Sequence, residues 1–104
     1  MERLMTPIKS INLIDEKISI IFDTHWFQED IHELSLQLLN KIQSYDIKEI
    51  TQGADRESCR FIWLNAEFSL HFDYYSQSCW FSTHDEISTS KIQSLFKLLT
   101  EKSS

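Results

Sequence analysis

A chain of 104 residues with one glycine, one proline and two cysteines is long enough for one domain and too short for two. Its 10 basic and 16 acidic side chains give a formal charge of −6, and 41% hydrophobic with 25% charged residues is the mix of a folding chain, not a disordered one. With Lys and Arg scattered singly, that acidic balance argues against nucleic acid and anionic membrane surfaces as partners.

The order of elements follows from hydrophobic periodicity. Residues 1–8 read as a loose arm ahead of the domain. Residues 9–14 and 17–23 read as a strand hairpin turned by Asp15-Glu16, since Ile18, Ile20 and Phe22 recur at every second position. Residues 25–44 read as a helix: Phe27, Ile31, Leu34, Leu38, Ile42 and Tyr45 step by three and four, with Asp23 or Thr24 as cap. On that helix His25 and His32 would share a side. The period then returns to two. Residues 47–52 are a strand with Ile47 and Ile50 on opposite faces, and Gly53–Arg56 a loop in which the glycine is free to take positive φ. Residues 57–64, 67–75 and 78–82 are three further strands, joined by two-residue turns at Asn65-Ala66 and Ser76-Gln77. Thr83 as N-cap with Glu86 at N3 opens a second helix over 84–101, whose apolar face is Ile87, Ile92, Leu95, Phe96, Leu98 and Leu99.

The order β-β-α-β-β-β-β-α, with hairpin-linked strands, predicts an α+β domain: an antiparallel sheet with both helices packed on one face. The two turns set a register. It places Trp63 opposite Phe68, Phe61 opposite Leu70, and Cys59 and Phe81 opposite Phe72, all on the face toward the helices. The other face then carries Arg60, His71 and Ser82 in one row and Ser58, Asp73 and Trp80 in the next. A diagonal Arg60–Asp73 ion pair is expected there.

Several chemistries are excluded. One glycine cannot build a P-loop or a Gly-x-Gly-x-x-Gly turn, and no Gly-x-Ser-x-Gly elbow occurs. His71 and Asp73 share a strand face with His84 nearby, but two ligands and a neighbour fall short of the three or more donors zinc takes, so no metal or other cofactor is expected. Cys59 and Cys79 fall on the apolar face with no imidazole beside them, and are expected to be buried, reduced and ~10 Å apart across one intervening strand. No apolar run reaches the ~20 residues of a membrane span, and Met1–Pro7 lacks a leader pattern, so the expected compartment is the cytoplasm.

The segment Gly53-Ala54-Asp55-Arg56, then Arg60-Phe61, then Phe72-x-Tyr74-Tyr75-Ser76-x-Ser78-x-Trp80 resembles an uncharacterised family of small acidic proteobacterial proteins, a domain of unknown function. The resemblance covers mainly residues 50–82. It implies a cytoplasmic bacterial protein and carries no activity. From the residues themselves, the candidate site is Arg60, His71, Asp73 and Trp80 on the outer sheet face. Ile62 and Leu64 add apolar area that a purely solvated face would not favour. The leading expectation is a protein-binding or regulatory module with a protein partner or a homodimer. The alternatives are a small enzyme using His71, Asp73 and Arg60, and a homo-oligomer without a ligand.

Overall fold

Alternation recurs along the sequence because one sheet holds the largest share of the described residues. The structure, a computed structural model, describes residues 6–101. Its elements are β1 (Ile8–Ile14), β2 (Lys17–Phe22), a 3₁₀ turn (Gln28–Asp30), α1 (Ile31–Ile42), β3 (Asp46–Gln52), β4 (Arg56–Trp63), β5 (Ala66–Asp73), β6 (Ser78–Thr83) and α2 (Glu86–Thr100). All strands pair antiparallel in one six-stranded sheet, order β1-β2-β6-β5-β4-β3. This is the expected α+β fold in the expected element order.

The core lies between one sheet face and the two helices. Ile18, Ile20, Phe61, Phe68, Leu70 and Phe81 line the sheet side, and Leu34, Leu38, Leu39, Leu95 and Leu99 come down from α1 and α2. Each fully buried side chain of this kind contributes roughly 1.5–3 kcal/mol. Cys59 on β4 and Cys79 on β6 are buried free thiols on the two strands flanking β5, as expected. Burial pushes both thiols above their ordinary value, Cys79 far above it, which disfavours the thiolate at both positions.

Both helices begin later than their sequence signals suggest. The Asp30 carboxylate accepts the Phe27 backbone N–H at 2.8 Å and starts the 3₁₀ turn there. Upstream the chain is not helical, so His25 and His32 do not share a helix face. Trp26, not Phe27, enters the core. Its main chain is held by the Gln77 amide at 3.0 and 2.9 Å, while Phe27 stays 53% exposed. In α2 the N-cap is Asp85 instead of Thr83: its Oδ1 accepts the Ser88 N–H at 2.9 Å, and Ser88, not Glu86, occupies N3. Thr83 ends β6, and Ile87 is exposed.

Two turns shift the register. The β4–β5 turn is Leu64-Asn65, with φ of 53° and 62°, the left-handed pair a two-residue hairpin loop requires. Trp63 therefore faces Ala66, Phe61 faces Phe68 and Cys59 faces Leu70. The β5–β6 connection spans residues 74–77, so Phe72 faces Cys79. Each shift is two residues, which keeps every side chain on its expected face and changes its cross-strand neighbours. Gly53 does not use positive φ; Asp15-Glu16 and Leu64-Asn65 make the left-handed turns instead.

The sheet edges share one device. β1 bulges between Ile8 and Ser10, at Lys9, and β3 bulges between Ile47 and Glu49, at Lys48. A bulge carrying a lysine blunts an open edge against pairing with another strand. The β3 bulge also turns Ile47 and Ile50 to the same side, opposite Phe61 and Cys59, where opposite faces were expected. Residues 6–8 are not a loose arm. The Gln37 amide bonds the Thr6 main chain at 3.0 and 2.8 Å, and Ile8 opens β1, partly buried against the core. Residues 1–5 of the expected arm lie outside the described residues.

Candidate functional site

Opposite the helices, the sheet presents its other face, and no element among the described residues covers it. The strand pairing fixes its rows. Ser19, Trp80, His71 and Ser58 run across the middle. Lys17, Ser82, Ser69, Arg60 and Glu49 form the next row, and Ser78, Asp73 and Arg56 lie on the far side.

The four expected site residues are all on this face but do not form one group. His71 and Trp80 are direct cross-strand partners with stacked rings, centroids 4.9 Å apart. Arg60 and Asp73 are in different rows, and the expected pair between them is replaced. Arg60 binds Glu49 at 3.2 Å and Glu67 at 3.3 Å. Asp73 binds Arg56 at 3.3 Å and accepts the Tyr75 N–H at 3.1 Å. The two-residue shift between β4 and β5 puts Arg56 opposite Asp73 and Ser69 opposite Arg60.

Nor is His71 oriented by a carboxylate. Its Nδ1 lies 2.8 Å from Ser58 Oγ and its Nε2 2.9 Å from Ser82 Oγ. Burial first, then the nearby His84 and Lys17 charges, hold its imidazole below the ordinary histidine value. It is a neutral ring between two hydroxyls that can each donate or accept.

The second histidine has the more polar setting. His84 Nε2 lies 2.7 Å from Ser69 Oγ, and its Nδ1 lies 3.6 Å from Glu67 Oε2. A hydroxyl, an imidazole and a carboxylate thus stand in line. Acyl transfer also needs donors aimed at the developing oxyanion. β5 is an interior strand whose N–H groups serve the ladders to β4 and β6, and Ser69 is only 6% exposed. Ser69 is the buried partner of His84. No group of three or more metal-ligating side chains occurs among the described residues.

Beside Trp80 the face opens into a groove of about 670 Å³, walled by Ile14, Ile21 and Trp80 over the small residues Ser19 and Ser78, with Lys17 at its side. Ile14 is 58% and Ile21 46% exposed. Sequence reasoning singled out neither isoleucine. The signal was present: Ile21 alternates with Ile20 and Phe22 and so points away from the core, and Ile14 precedes the turn.

No helix among the described residues is long and apolar enough to cross a membrane. No curated protein and no solved structure matches the chain. A family model does match, and well beyond the 50–82 stretch that carries the sequence resemblance. Residues 8–100, from the first strand through the last residue of α2, fit the model of a protein family of unknown function, DUF3630, and the chain belongs to that family.

Proposed function

We propose that this chain is a protein-docking module whose partner seats on the uncovered sheet face around Trp80. One observation carries the reading. Both helices cover the same side of the sheet, and the other side keeps a half-buried Trp80 and two exposed isoleucines around a groove. An aromatic anchor beside apolar walls and a polar surround is the anatomy of an interface. The polar groups favour it too. Arg60, Asp73, His71 and Ser69 already have partners within the chain, so covering them strands few unsatisfied groups. Buried free thiols and an acidic charge fit a cytoplasmic module.

The test is capture from native lysate by wild type, Trp80→Ala and Ile87→Ala, the last an exposed position on α2. Wild type and Ile87→Ala should retain the same protein, a further copy of the chain included, and Trp80→Ala should lose it. Equal retention by all three, or no retention by wild type, overturns the reading.

A further inference from the structure

We infer that the partner of this face is a second copy of the chain, bound through a two-fold contact in which the β1–β2 hairpin tip of each copy enters the groove of the other. The inference rests on the docking reading above and adds the identity of the partner.

Charge selects the partner. The other charged residues of the face are paired within the chain: Arg60 with Glu49 and Glu67, Arg56 with Asp73, and Lys48 with Asp46. At the groove the pattern differs. Lys17 and Asp15, which both line it, and Glu16 next to them at the hairpin tip form no ion pair among the described residues. A basic partner would satisfy the two acids and repel Lys17. An acidic partner would do the reverse. A second copy turned through a two-fold axis satisfies both, because each contact occurs twice with the roles exchanged.

Shape agrees with charge. Ile14 sits directly before the two acids and pairs with Lys17 across the turn, so the tip presents an apolar side chain beside both signs of charge. The groove offers Ile21 and Trp80 as apolar walls over Ser19 and Ser78, with Ile14 of the same copy at its rim. Ile14 of one copy can lie against those walls while its Glu16 reaches Lys17 of the other. Edge-to-edge pairing, the other common route to a β dimer, is opposed at both edges by the bulged lysines Lys9 and Lys48.

The experiment is sedimentation equilibrium on wild type, Lys17→Glu, Glu16→Lys, and an equimolar mixture of the two variants, with near-ultraviolet circular dichroism to confirm that each is folded. Glu16 has φ of 65°, and glutamate and lysine tolerate that conformation alike, so the swap preserves the turn. Wild type should be a dimer. Each variant alone should dimerise at least about tenfold more weakly, because like charges meet twice per contact. The mixture should recover a heterodimer, since one copy then carries the acids and the other the bases. A monomeric wild type, or folded variants whose mixture recovers nothing, overturns the second-copy inference. If the monomer still captures another protein through Trp80, the docking reading survives that loss. If a dimer persists through Trp80→Ala and both charge swaps, the face is not the interface and the docking reading fails with it.

Discussion

The imidazole of His71 lies against the indole of Trp80, ring centroids 4.9 Å apart and planes 22° from parallel. The two are direct partners on adjacent strands, so the stack is set by register and not by chance approach. It buries one face of the histidine at the centre of the uncovered sheet, while Ser58 and Ser82 engage both ring nitrogens.

That burial makes stability depend on pH with a definite sign. The folded His71 value lies below its ordinary 6.5, so the unfolded chain takes up the proton first. The stabilising effect of the neutral ring is complete above 6.5 and is lost as pH falls from there toward the lower folded value. Denaturant midpoints should therefore hold above about pH 6.5 and drop as pH falls below it, before the range where most carboxylates titrate. His71→Gln should flatten the curve in that window. Parallel curves for the two proteins would assign the dependence to another group.

Trp80 and Phe81 are neighbours in sequence on opposite sides of the sheet, which gives an internal comparison. Phe81 is wholly buried, and Phe81→Ala should cost about 3–5 kcal/mol through the cavity it leaves. Trp80 is half-buried and stacks on His71, so Trp80→Ala should cost less, about 1.5–3 kcal/mol for the stack and the partial burial together. Urea melts decide this. Equal losses would make Trp80 a core residue and remove the anchor from the proposed surface.

The sequence carried the fold because the face of each central-strand residue depends on parity alone. Phe68, Leu70 and Phe72 point inward under either register, and His71 and Asp73 point outward. Partners within the face depend on the turns: a β4–β5 turn one residue earlier than expected and a β5–β6 connection two residues longer each move the register by two. Asn65-Ala66 looks like a turn by composition, yet the chain turns at Leu64-Asn65 and accepts a leucine at positive φ to keep Ala66 in the ladder. That shift alone moves Ser69 opposite Arg60. The Lys48 bulge was similarly hidden: nothing in Asp46–Gln52 marks an extra residue, and period two assigned Ile47 and Ile50 to opposite sides. The groove escaped because its walls come from three strands whose adjacency, β1-β2-β6, joins the two ends of the chain.

The start of α2 yields another measurable difference. Ser88 is fully buried, and its Oγ accepts the backbone N–H groups of His84 at 2.8 Å and Asp85 at 3.1 Å. Ser88→Ala strands both donors and should cost about 1–3 kcal/mol. Thr83 carries the better-known capping signature but only accepts the Thr89 hydroxyl at 3.1 Å, so Thr83→Ala should cost under about 1 kcal/mol. The reverse order in thermal or urea melts would return the cap to Thr83.

Every residue of β3 is exposed, and Ile47 and Ile50 lie on the same side of this edge strand. Such a strand is a template for pairing with another chain. Against that stands Lys48, sited at the bulge with its Nζ 2.8 Å from the Asp46 carboxylate. Pairing another strand there would crowd or desolvate the ammonium. Lys48→Val removes the charge and makes Ile47-Val-Glu-Ile50 a near-continuous β-forming run. Lys48→Arg keeps the charge as a control. Light scattering under mildly destabilising urea should show the valine variant aggregating while wild type and the arginine variant stay dispersed. If all three scatter alike, the bulge geometry alone protects the edge, and the lysine has no part in confining association to the sheet face.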